Sequence, residues 1–283
     1  MSIVDTEANL LQSVESRELY LNQRAMFNVL KATLEYPTNS QGKAAKLADD
    51  LKFFCSAVEE GPDNILWQLW PLVIDIVSCI PPYHPWQDSL VLSMAILRQQ
   101  DVPISKFYDE NRLAVWKDLP GLSLSMREAW LGIDSDPTLD VAESERIFAS
   151  WRSLNSFASR ITSADFSPWL NLPIWNLREA FEEPPLKGSA MDCQIWVAAE
   201  WIINCADVLY EYLSSNIPLD EHEARSLRTG SLCEDIKPLS VERWDFWKRR
   251  FSELAADADG VGLDNTSVER ITEALKSMEN IEG

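Results

Sequence analysis

Glycine is scarce in this chain: nine residues in 283. That is too few for a fold rich in strands and tight turns, or for a glycine-rich nucleotide loop. Histidine is scarcer still. His84 and His222 are the whole supply, and neither has a partner at metal-ligand or triad spacing, so a histidine-based metal site or a Ser-His triad is not expected. The chain has no G-x-S-x-G elbow, no Walker loop, no G-x-G-x-x-G after a strand and no H-E-x-x-H. Positive charge is also short, with 25 Lys and Arg against 45 Asp and Glu, a net charge of −20. Nucleic-acid binding needs a positive footprint, so neither a nucleic acid nor an anionic membrane surface is expected as a partner. The acid excess itself reads as solubility.

Long apolar runs are missing as well. "PLVIDIVSCIPP" is broken by Asp75 and by prolines and is too short to span a bilayer. "MSIVDTEANLLQ" carries neither a charged n-region nor an apolar run, so no signal peptide is expected. Cys55, Cys79, Cys193, Cys205 and Cys233 include no C-x-x-C pair, and most sit in apolar helical patterns, where a free thiol behaves as a small hydrophobe. These features predict a soluble protein of a reducing compartment, cytoplasmic or nuclear, with no metal and no cofactor.

What is abundant is aromatic surface. Twelve Trp and ten Phe, in a chain 46% hydrophobic, can supply a sizeable core. The apolar spacing is helical nearly throughout. The fold class expected is all-α: a compact bundle of about nine to eleven helices, aromatic-rich, around a buried central helix, in one domain over 1–283. The weakest joint falls near residues 100–140, and the polar stretch 215–238 is the best linker or surface loop. Pro37 should stop one helix and Pro71 should kink or break another. Caps are expected from Ser125 with Glu128, Asp140 with Glu143, Ser189, Ser240, and Thr266 with Glu269.

Residues 192–213 carry the most informative pattern. At about 100° per residue, Glu200, Asn204, Asp207 and Glu211 form a narrow polar stripe. The rest of the helix is almost wholly apolar, which predicts burial. The stripe could face a slot of solvent, pair with cations of another helix, or line a cavity. In the last case Glu200, Asp207 and Glu211 are candidate acid-base residues, since burial raises a carboxylate pKa. Asn204 would then orient a polar group, and Trp196 and Trp201 would form walls. Comparison with class I terpene cyclases fails on spacing: Asp49 and Asp50 lack a third carboxylate one turn on, and Asn204, Asp207 and Glu211 fall at i, i+3 and i+7.

"RWDFWKRRF", residues 243–251, sets four bases among four aromatics. On a helical wheel Trp244, Trp247, Phe251, Leu254 and Ala255 make a core arc, and Arg249 has Asp245 and Glu253 four residues away on either side. Over residues 239–259 acids still outnumber bases, five to four. Arg243, Phe246 and Arg250 edge the core arc, so Arg243 or Arg250 is expected to approach a carboxylate of the 192–213 helix.

Four elements together carry a resemblance: "WRSLNSFASRI", "LPIWNLREA", "AAEWI" and "RWDFWKRRF". They resemble a fungal domain-of-unknown-function family, number 3632, found mainly in filamentous ascomycetes, and they cover roughly the C-terminal half. The resemblance implies a fungal, intracellular, helical protein with no family-wide activity. Some similar proteins are encoded beside secondary-metabolite genes. It transfers no catalytic residue. Two functions are expected. The first, favoured by the missing catalytic motifs, is a non-enzymatic accessory or interaction protein with a protein or a small apolar or polar metabolite as partner. The second is a cofactor-independent enzyme of cyclase or isomerase type, using a pocket beside the 192–213 helix.

Overall fold

The computed structural model describes residues 9–56, 62–99, 119–133, 139–163, 169–215 and 217–282. Among these residues the fold is all-α, without strands. In chain order the helices are α1 (Gln12–Glu15), α2 (Leu21–Glu35), α3 (Ser40–Ser56), α4 (Pro62–Cys79), α5 (Pro85–Arg98), α6 (Leu122–Ala129) and α7 (Val141–Ser163). After these come α8 (Asn171–Leu177), α9 (Gly188–Ser214), α10 (Glu221–Ser226), α11 (Val241–Ala256), α12 (Ala258–Val261) and α13 (Asn265–Glu282). Two of the thirteen, α1 and α12, are single four-residue turns. A π-helical turn, Arg178–Glu182, continues α8. No helix among the described residues is long and apolar enough to cross a membrane.

The chain folds as two compact units. The first takes residues 1–134 and 149–157, the second residues 135–148 and 158–283, so α7 contributes to both. Much of the joint expected at 100–140 falls on residues 100–118 and 134–138, outside the described residues. Gly61, where the helical pattern that begins at Ser40 is expected to stop, also lies outside them.

In the first unit α3 packs most extensively on α5, with α2 and α4 alongside. Phe27, Leu30 and Leu34 of α2 and Ala44, Leu47, Ala48 and Leu51 of α3 are buried at helical spacing. Pro37 ends α2 as expected. The residue before a proline avoids helical geometry, and Tyr36 is extended, with φ −63° and ψ 133°. Asn39 then opens α3, its Oδ1 accepting the Gly42 N–H at 2.8 Å. Pro71 does not end its helix: α4 runs through it. Its neighbours Leu69, Trp70, Leu72 and Val73 are all buried, and that packing offsets a proline cost of about 3 kcal/mol. The cap expected at Ser125 is not formed, because α6 starts after Gly121 and Ser125 is buried inside the helix.

In the second unit α9 is the central helix. Sixteen of its 27 residues are buried, Trp196 and Trp201 among them. It packs along α13 and against α8 and α11. Asp140 caps α7 through the Glu143 N–H at 2.8 Å, and Ser240 caps α11 through the Arg243 N–H at 3.3 Å. The cap expected from Ser189 is missing: α9 begins at Gly188, whose φ is +58°, with no side-chain cap at Lys187. At α13 the cap is Asp264, whose Oδ1 accepts the Ser267 N–H at 2.7 Å, in place of Thr266.

Candidate functional site

The polar stripe of α9 divides along its length. Glu200 is buried and pairs with Arg270 of α13 at 2.9 Å. The Arg270 guanidinium also lies over the Trp196 ring, 5.7 Å from its centroid, and reaches Glu273. Trp201 is fully buried in the core. Asn204 donates to Ser159 Oγ at 3.1 Å and to the Glu200 carbonyl at 3.0 Å, holding α7 to α9 within the second unit. Asp207 and Glu211, one and two turns on, are exposed. The buried half of the stripe is therefore an ion-pair network and the other half meets solvent.

The cation for Glu200 comes from α13 because α9 packs along that helix. The expectation that Arg243 or Arg250 would approach an acid of the 192–213 helix is thus corrected. Arg250 pairs with Glu253 on its own helix. Arg243 does turn inward, but to a carboxylate of the π turn, Glu182.

That contact lies in a buried polar cluster. Arg243 and Glu182 are both fully buried. Arg243 Nε donates to Glu182 Oε1 at 2.7 Å and one Nη donates to Oε2 at 3.0 Å. The remaining N–H groups donate to the carbonyls of Leu227, Pro238 and Arg228 at 2.8, 2.9 and 3.2 Å. All five guanidinium donors are used. Glu182 also accepts from Trp247 Nε1 at 2.7 Å and from the Gly230 N–H at 2.8 Å. The Arg243 guanidinium lies 5.2 Å from the Trp247 ring centroid. Phe246 is buried beside it and carries Arg249 on its outer face, 5.2 Å from the ring centroid.

Glu182 was not legible as a partner, and the π turn is the reason. One extra residue in the turn rotates the chain beyond it, so Phe181 and Glu182 both face inward. The cluster fastens the polar stretch 215–238, which is therefore no loose linker. It holds α10, with a full capping box between Asp220 and Glu223, and it buries Leu227 and Cys233. Gly230 is needed there, because a Cβ would lie 2.4 Å from the Glu182 carbonyl oxygen. Burial, and then the Glu182 carboxylate beside it, push the Cys233 thiol up to about 12.

The first unit carries a different feature, a half-open groove of about 680 Å³ between α2 and α3. Val29, Ala32 and Tyr36 form one wall, and Gly42, Lys43 and Lys46 the other. Lys43 is buried and donates to the Leu34 carbonyl and, at 2.7 Å, to the Tyr36 carbonyl, which end α2. Its Nζ also lies 5.8 Å from the Trp86 ring centroid. Lys46 pairs with Asp50, a buried carboxylate that also accepts from Thr33 Oγ1 at 2.8 Å. None of the candidate acids of α9 lines this groove. Among the described residues no group of three His, Cys, Asp or Glu side chains is placed to hold a metal ion.

Compared with known families, residues 70–251 match the model of a family described as "Protein of unknown function (DUF3632)". No curated protein and no solved structure matches the chain.

Proposed function

This chain belongs to the DUF3632 family, and from its own geometry we propose that it acts by binding, as an accessory or interaction protein, rather than by catalysis. One observation carries the reading: the candidate carboxylates of the second unit are either bound to arginines or exposed. Glu200 is tied to Arg270 and Glu182 to Arg243, while Asp207 and Glu211 stand in solvent. A general acid or base must reach the proton it moves. A carboxylate already holding a buried guanidinium would have to leave that cation unpaired, a loss of several kcal/mol.

The groove between α2 and α3 has the volume of a small-molecule site, within the usual ~300–1,000 Å³, and no carboxylate is among its lining residues. It is the surface on which the binding reading rests. Native mass spectrometry after incubation with a library of neutral and charged apolar metabolites tests it. A stoichiometric complex containing the unaltered compound is expected, with wild type and Glu200→Gln capturing it equally. A product that differs from the added compound in chromatographic retention or NMR spectrum, isomers included, and that forms with wild type and not with Glu200→Gln would replace the binding reading with the enzymatic one.

On the likeness of the C-terminal motifs we further read the protein as fungal, cytoplasmic and linked to secondary metabolism. Expression of its gene in step with a metabolite gene cluster is the expected sign, and expression independent of every such cluster counts against the link.

A further inference from the structure

The groove of the first unit also indicates what kind of molecule it takes. This inference rests on the proposed binding function and narrows it to a ligand class. The sequence builds the groove in a short stretch. Pro37 forces Tyr36 into an extended conformation, the chain turns, and Asn39 starts α3 beside α2. Val29 and Ala32, at i and i+3, share one face of α2, and Tyr36, in the extended residue that follows the helix, lines the groove with them. All three are exposed, Tyr36 to 64%. On α3 the facing residues are Gly42, Lys43 and Lys46.

Charge selects among small ligands. The lining holds two lysines and no carboxylate, in a chain with 45 acids to 25 bases. Lys43 is fixed in the floor by the carbonyls it holds, so its charge cannot swing away into solvent. Asp50 lies behind Lys46 and neutralises one of the two charges, which leaves the groove with a local excess of one positive charge. Lys46 is exposed, and an ammonium has three donors, so it can keep Asp50 and still donate to a second carboxylate. The α2 side offers Val29 and Ala32 as apolar surface beside the uncharged Asn28 and Thr33.

We propose that this groove binds a small amphiphile with one carboxylate: an apolar body along Val29, Ala32 and Tyr36, and the head group beside Lys46 and Lys43. A cationic amphiphile is disfavoured by the same excess charge, and a neutral one lacks the charge-assisted hydrogen bond.

The test uses the full chain, with amide signals followed by NMR during titration with decanoate, decanol and decyltrimethylammonium, each below its micelle concentration. Decanoate is expected to shift the signals of Val29, Ala32 and Gly42, and to bind about five-fold or more tightly than decanol. The ammonium should be weakest. Ala32→Trp fills the groove from an exposed position and should remove these shifts with the melting temperature unchanged. If that variant fails to fold, Val29→Trp serves the same purpose. Lys46→Gln should erase the preference for decanoate over decanol and leave decanol binding intact. If decanol or the ammonium binds in the groove as well as decanoate, the ligand class falls and the binding reading stands. If no probe moves the groove signals, or Ala32→Trp and Val29→Trp leave the shifts in place, the groove assignment itself is overturned. The metabolite screen then decides the binding reading independently.

Discussion

Each unit sets a cation on backbone carbonyls beside a tryptophan, and the two do so to different ends. In the first, Lys43 holds the carbonyls of Leu34 and Tyr36 and lies near the Trp86 ring. In the second, Arg243 holds the carbonyls of Leu227, Arg228 and Pro238 and lies over Trp247. The arginine also has a carboxylate of its own, Glu182, with both side chains at 0% exposure. The surfaces differ in the same direction. Among the described residues of the first unit five aromatic side chains are exposed: Tyr20, Tyr36, Phe53, Trp67 and Tyr83. The large exposed hydrophobics described in the second unit are aliphatic: Val141, Ile217 and Leu232. Exposed aromatic surface is costly to keep and is characteristic of recognition surfaces. The contrast teaches that the more elaborate polar cluster need not be the functional one. A guanidinium with all five donors satisfied internally has none left for a ligand, whereas a shallower arrangement at a helix end leaves a groove beside it.

The contrast can be broken most forcefully at Arg243. Arg243→Met leaves Glu182 as a buried charge without its cation and should cost about 3–5 kcal/mol, read as a lowered urea midpoint by circular dichroism. A loss below about 1 kcal/mol would mean that the pair contributes no more than a surface ion pair. Adding Glu182→Leu should recover only part of the loss, because the Gly230 and Trp247 N–H groups stay buried without an acceptor.

Gly230→Ala comes next. Its new Cβ collides with the Glu182 carbonyl, and forced overpacking of this kind costs about 1–3 kcal/mol. The same variant should expose Cys233. With its pKa pushed up to about 12, that thiol is protonated at neutral pH, and it is 5% exposed, so native protein should resist thiol reagents there. Equal labelling rates for Cys233 in wild type and variant would show that the cluster does not hold this segment closed.

Glu200→Gln removes a charge from the Arg270 pair but keeps a polar group in its place. Arg270 retains Glu273 and the Trp196 face, so a smaller loss of about 1–2 kcal/mol is expected. Binding in the first unit should be untouched, and a changed affinity in the groove would contradict the reading that Glu200 takes no part in it. The smallest effect belongs to the first unit itself. Thr33→Val deletes one hydrogen bond to Asp50, worth about 1 kcal/mol. Lys46 still holds that carboxylate, and a loss as large as that of Arg243→Met would erase the proposed difference between the units.

Much of the fold was legible because helical periodicity is written in single residues. The core arc of α11 is an instance: Trp244, Trp247, Phe251 and Leu254 are all buried, and Arg249 is exposed beside Glu253. The buried α9 was legible for the same reason, since a helix apolar on nearly every side has nowhere else to go. Caps were legible where one side chain met one N–H, at Asp140 and Ser240. They were misread at Ser125 and Thr266, where Gly121 and Asp264 start the helices a few residues earlier. Partner choice was the weakest reading. An inward arginine on α11 is expected from its place at the edge of the core arc, but its carboxylate lies 61 residues away, on a π turn that a 3.6-residue wheel cannot represent. The groove was not legible at all. Its walls are exposed residues of ordinary type, and the apolar pattern marks what is buried, not which exposed faces meet.

The sequence by itself determined that this is a helical, acidic, tryptophan-rich protein with a buried helix at 192–213 and an inward edge on the helix at 241–256. Each of these comes from local spacing and charge count. Only the tertiary structure decided that Glu200 answers to Arg270, that Arg243 answers to Glu182, and that Tyr36 and Lys46 line one groove. Those are distances between segments. They are set by how α9 packs along α13 and how α2 turns into α3, and a carboxylate in the sequence carries no mark of which of several arginines will reach it.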